Sequence, residues 1–268
     1  MNTLCKGNRM RRIRPLALLP LAAAALFARP LAAQIPERFE NLKVLPRDIP
    51  RDSLVAIMRN FSNSLGVRCN YCHVERPAAQ PGGRETFNFA SDDKVPKEKA
   101  RFMMRMTRDL NAQVLPQVPH RRTPAVGVGC ITCHRGLPVP TTLDRVLTAA
   151  LDSGGAPAAI ARYRQLRESS LASGRYDFSE GTLTDLGRRL AGQGKTAEAA
   201  ALLELNSEFY PNSGQVDFAL AEVYRMQGQR DKALVRYRMA QQKDPQNPQI
   251  QRRINELTGA APAPAPQP

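Results

Sequence analysis

Two stretches of the chain, GVRCNYCH at 66–73 and GVGCITCH at 127–134, spell Gly-Val-x-Cys-x-x-Cys-His sixty-one positions apart. Each crowds two thiols and an imidazole into one turn of backbone, so the segment must curl around a shared ligand. Three chemistries compete for Cys69, Cys72 and His73, and for Cys130, Cys133 and His134. A four-thiolate zinc site leaves both histidines unused. Its C-x-x-C pairs usually lie roughly 15 to 20 residues apart, against 57 residues between Cys72 and Cys130. A thioredoxin-like dithiol expects a strand-to-helix turn of a parallel sheet, and no such pattern surrounds either motif. The third chemistry uses every residue. Each Cys forms a thioether to a haem vinyl group, and the following His ligates the iron; C-x-x-C-H is the attachment signature of c-type haem. The expected cofactors are therefore two covalently bound haem c groups, held by Cys69, Cys72, Cys130 and Cys133 with His73 and His134 as metal ligands.

Such chemistry belongs outside the cytoplasm, and the N-terminus agrees. Lys6, Arg9, Arg11, Arg12 and Arg14 precede the apolar run PLALLPLAAAALFA, and LAAQ offers a small-residue cleavage site near Ala33. Pro15, Pro20 and Arg29 leave that run short of the roughly 20 apolar residues of a spanning helix. Residues 1–33 are read as a signal peptide and the protein as periplasmic. Cys5 precedes the apolar run and leaves with it. The signal holds six of the Lys and Arg residues and no acid, so the formal charge falls from +15 to +9. A basic exported chain without dense basic runs fits an acidic redox partner or an anionic membrane surface, not nucleic acid.

Low aromatic content, 6% with no Trp, suits a small domain whose apolar interior is largely porphyrin. Leu54, Met58, Phe61 and Leu65 in RDSLVAIMRNFSNSLG make one helical stripe, with Asp52 or Ser53 as N-cap and Gly66 as the stop. Residues 74–96 are turn-rich and expected to be irregular. A second helix is predicted through KEKARFMMRMTRDLNAQVL, where Met103, Met106, Leu110 and Val114 share a face, and prolines at 116, 119 and 124 end it. From about residue 182 a period of 34 appears: Leu186 matches Leu220, Leu190 matches Tyr224, Gly194 matches Gly228, and Pro211 matches Pro245. That is the tetratricopeptide period. Two such repeats need neighbours to bury their faces, and residues 141–175 are expected to supply another helical pair. The expected fold is mainly α. A loop-rich two-haem cytochrome c domain at 34–145 is followed by a helical connector at 146–181, a tetratricopeptide-like solenoid at 182–258, and a Pro/Ala tail at 259–268.

The sixth ligand of each iron separates an electron carrier from a ligand-binding haem. Of three histidines only His120 remains for this role. Among the eight methionines, Met1 and Met10 lie in the signal and Met226 and Met239 in the repeats, leaving Met58, Met103, Met104 and Met106. Spacing alone leaves these as ligands or as gap-filling core residues.

The segments NLKVLPRDIP, LVAIMRNFSNSLGVRCNYCH, MMRMTRDLN and GVGCITCHRGLPVP, spanning about 38–140, resemble the cytochrome c subunit of bacterial photosynthetic reaction centres. The resemblance implies helix-turn-C-x-x-C-H haem units with a helix Met as sixth ligand: Met58 opposite His73, and Met103 opposite His134. Met104 and Met106 then pack, and His120 competes for the second iron. Family members typically carry four haems and a lipid-anchoring cysteine, which this chain lacks, and the repeats are an addition. The resemblance implies a non-enzymatic electron carrier whose partners are redox proteins, a membrane-bound reaction centre or respiratory complex among them; the repeats are expected either to bind a protein or only to pack against the haem domain. The alternatives are a peroxidase-like haem enzyme with one open iron, or a repeat-based scaffold whose haems are structural.

Overall fold

The computed structural model describes residue 36, residues 38–77 and residues 86–259. The expected signal segment 1–33 and nearly all of the expected Pro/Ala tail lie outside the described residues. Among the described residues no helix is long and apolar enough to cross a membrane.

Helix α1, Arg51–Leu65, ends where Gly66 adopts a left-handed φ of 66°, a conformation that costs glycine nothing and that stops a helix. Its start differs from expectation. Pro50, not Asp52 or Ser53, is the flanking residue, because its fixed φ lets the chain enter the helix directly at Arg51. Residues 74–96 are not wholly irregular: β1, Val74–Arg76, pairs antiparallel with β2, Thr86–Asn88, with Glu75 opposite Phe87. Strands of three residues carry too little alternation to be legible in sequence.

Helix α2, Val95–Asp109, begins two residues before the predicted start, with Pro96 in its first turn. It then passes into a π turn, Leu110–Val114, and a 3-10 turn, Leu115–Gln117. The Leu115 amide donates to the Leu110 carbonyl, five residues back. The short helix α3, Cys130–His134, is the second Cys motif itself.

The repeat half supplies nearly all of the core. Helix α4, Leu143–Ser170, is broken at Gly154 and Gly155, where the backbone leaves helical geometry, so it forms the helical pair expected ahead of the repeats. Then follow α5 (Glu180–Gly192), α6 (Thr196–Phe209), α7 (Gly214–Met226), α8 (Arg230–Lys243) and α9 (Pro248–Thr258). Residues spaced by 34 occupy equivalent places. Leu186 and Leu220 are buried, as are Leu190 and Tyr224, and Gly194 and Gly228 turn α5 into α6 and α7 into α8 with φ of 79° and 72°. Gly187 lets α5 and α6 approach, since an added Cβ would sit 2.7 Å from Leu203 Cγ. Tyr163 and Leu166 of α4 cover the first repeat, and Ile250 and Ile254 of α9 cover the last. The repeats thus receive the flanking surfaces that a two-repeat solenoid needs.

Candidate functional site

Ahead of residue 143 the described chain buries one apolar side chain, Leu54, while Phe102, Met103, Met106, Val114, Val126, Ile131 and Val139 stand exposed around the two Cys motifs. A segment with well-defined helices and almost no core leaves its apolar surface for a ligand or a partner to cover. The four motif cysteines are free thiols. Among the described residues no three His, Cys, Asp or Glu side chains converge to hold a metal ion.

The first motif sits in a helical turn. Gly66 reverses the chain, Cys69–Tyr71 form a 3-10 turn, and the Cys72 and His73 amides both donate to the Cys69 carbonyl, at 3.2 and 3.0 Å. His73 lies edge-on to Phe89, ring centroids 4.9 Å apart, and its buried Nδ1 has no hydrogen-bond partner. Burial, assisted by the positive charges of Lys97 and Lys94, pulls its imidazole down to about 4. It is therefore neutral at physiological pH, as a metal ligand must be. Burial also pushes the Cys72 thiol up, opposed by the same two lysines.

Those lysines are fixed by the backbone. Lys94 Nζ donates to the carbonyl of Asn70, between the two cysteines, and Lys97 Nζ donates to the Phe89 and Ser91 carbonyls at 2.8 and 2.6 Å. Lys97 also belongs to an ion cluster around Asp92, whose carboxylate meets Lys43 at 2.7 Å, Arg101 at 2.8 Å and Lys97 at 3.2 Å. Hydrogen bonds from Lys43 foremost, with Asn41, Lys97 and Arg101, hold the Asp92 carboxyl below the usual carboxylate range. This cluster ties the lead-in segment to α2 across the first motif. Nothing in the sequence spacing pointed to Asp92, because its partners are up to 51 residues away.

The second motif is an α-turn. Cys130–His134 is helical, Gly129 N–H donates to Thr132 Oγ1 at 3.0 Å, and Arg135 and Gly136 follow in left-handed conformations. His134 Nδ1 lies 2.8 Å from the Leu137 carbonyl. That carbonyl can only accept, so Nδ1 carries a proton and Nε2 is the nitrogen left for a metal, the arrangement that orients a metal-bound imidazole. Burial pushes the Cys130 thiol up.

The two motifs are locked together by backbone. Gly136 N–H donates to Ser64 O of α1 at 2.8 Å, and a Cβ on Gly66 would lie 2.2 Å from the Gly136 carbonyl oxygen. The C-terminal end of α1 thus crosses the exit of the second motif. Of the proposed axial methionines, Met58 is half-buried on α1, whereas Met103 on α2 is 40% exposed, as is Met106, and Met104 is half-buried. His120 is exposed in the loop before the second motif with a φ of 54°. The residues present fit haem: an imidazole with a free ring nitrogen in each motif, apolar side chains left uncovered nearby, and thioether side chains on both flanking helices.

Residues 77–184 match the family model described as photosynthetic reaction centre cytochrome C subunit, and residues 190–253 match that of the tetratricopeptide repeat. The first match takes in α2 and the second Cys motif and starts just past the first. The photosynthetic reaction center cytochrome c subunit of Rubrivivax gelatinosus is 42% identical over 106 residues, 38% of this chain and 24% of the relative. That of Thermochromatium tepidum is 34% identical over 127 residues, 47% of this chain and 26% of the relative. Cytochrome c-554 of Chloroflexus aurantiacus is 38% identical over 77 residues, 29% of this chain and 16% of the relative. The chain thus spans about a quarter or less of the length of these relatives. It joins a stretch related to the photosynthetic reaction centre cytochrome c subunit family to tetratricopeptide repeats.

Proposed function

We propose that the protein is a periplasmic two-haem c-type cytochrome that carries single electrons between redox partners and makes or breaks no substrate bonds. One haem would be held by Cys69, Cys72, His73 and Met58, the other by Cys130, Cys133, His134 and Met103. The observation that carries the reading is His134: its Nδ1–H is committed to the Leu137 carbonyl at 2.8 Å, leaving Nε2 directed as a ligand in the residue that follows Cys133. Haem iron with both axial positions filled supplies reversible one-electron exchange. The chain's own contribution is to fix the imidazoles, to offer thioether side chains from α1 and α2, and to present a basic surface to a partner. Residues 34–142 hold 17 Lys and Arg against 10 Asp and Glu, while 143–258 hold 16 against 14. The excess positive charge therefore lies on the haem half, which suits an acidic redox protein or an anionic membrane surface. The repeats add a protein-binding face.

The test is potentiometry of the purified holoprotein and of Met58→His and Met103→His variants. Imidazole in place of thioether lowers a haem's potential, so each variant is expected to lower one potential and leave the other. If neither variant lowers a potential, the axial assignments are wrong. Rapid carbon monoxide binding by the reduced wild-type protein would instead indicate an open iron and a haem enzyme.

A further inference from the structure

The π turn at the end of α2 has a specific use. Where the helical ladder changes from bonds four residues back to bonds five residues back, Asn111 is turned toward the loop leading into the second motif. Its side chain makes three hydrogen bonds: Nδ2 donates to Thr107 O at 2.8 Å and to Val128 O at 2.7 Å, and Oδ1 accepts from Val128 N–H at 2.7 Å. Both amide hydrogens and one lone pair are committed. The pair with Val128 imitates a strand-to-strand pairing, and it sits two residues before Cys130. Gly127 completes the fit, because a Cβ there would lie 2.9 Å from Asn111 Oδ1. A π turn is an uncommon feature that tends to mark functional positions.

We infer that Asn111 is the positioning residue of the second haem site, clamping the entry of the Cys130–His134 turn to the helix that carries Met103. The inference rests on the two-haem reading. Met103 and His134 lie on separate elements, and the Asn111–Val128 clamp is a direct side-chain link between α2 and the approach to α3. With the clamp in place the two elements hold one spacing and one orientation.

The experiment compares holoprotein carrying Asn111→Ala or Gly127→Ala with the wild type, in three measurements: haem content, the two reduction potentials with carbon monoxide binding, and amide exchange of Val128. Asn111→Ala is expected to keep two haems, lower one potential while the other holds, admit carbon monoxide at that haem, and speed Val128 exchange by about tenfold through loss of a hydrogen bond. Gly127→Ala is expected to move the same haem in the same direction by displacing the Asn111 side chain. Faster Val128 exchange with both potentials unmoved would make the clamp merely structural and overturn the inference, as would no change in any measurement. A wild-type protein lacking haem on Cys130 and Cys133 sinks the functional reading and the inference together. That failure is told apart because it appears before any variant is made.

Discussion

Glycine and histidine decide most at the scale of single residues. Gly66 has a φ of 66° and a backbone oxygen 2.2 Å from where a Cβ would be, whereas the nearest neighbour at Gly136 is the movable Arg175 guanidinium at 3.0 Å. Gly66→Ala is therefore expected to destabilise the holoprotein by about 3 kcal/mol or more, and Gly136→Ala, strained only in its backbone, by about 1–2 kcal/mol. Urea midpoints rank the two, and equal costs would deny the crossing. Asp92 sets the acid limit of the same region. Its folded carboxyl is held below the ordinary value near 3.9 by Lys43 and its companions. The stabilisation is then fully present above about pH 4 and is lost as pH falls through the depressed folded value. Acid titration of stability should show this loss in the wild type and a shallower one in Asp92→Asn. The sequence displayed Gly66 and both histidines plainly, since each belongs to a short motif. Asp92 and Asn111 were invisible in it, because what defines them is contact across the fold rather than spacing.

Elements show where periodicity succeeds and where it stops. Helix α1 was readable from its apolar stripe and its terminal glycine, and α2 from its methionines. The π turn was not readable, because an extra residue in one turn leaves no compositional mark, and the short β1–β2 hairpin has too few residues to alternate. In α2 the apolar face through Phe102, Met103 and Met106 is uncovered by protein, with Phe102 60% exposed. Haem attachment should cover Met103. Dilute peroxide followed by peptide mass spectrometry is expected to oxidise Met226, 50% exposed on α7, well before Met103 in the holoprotein. Equal oxidation of the two would place Met103 away from haem.

The molecule as a whole divides its sources of stability. From Leu143 onward a continuous apolar core runs through the repeats to Ile254, legible beforehand because a period of 34 repeats its own packing. Within it Asp217, with a side chain 2% exposed, pairs with Arg236 at 2.9 Å and with Lys243. Asp217→Ala leaves two half-covered cations unmatched and should cost about 2 kcal/mol in the thermal unfolding of the helices, with both haem potentials unchanged. A shift in either potential would mean that the halves are more tightly coupled than this division allows. On the two-haem proposal, the half ahead of Leu143 takes from haem the interior that it does not build from side chains. That dependence makes haem stoichiometry the most direct test of the central claim. Intact mass spectrometry of the purified protein is predicted to show two haem adducts on the wild type and one when Cys69 and Cys72 are both changed to Ala; a wild-type chain carrying one haem or none would contradict it.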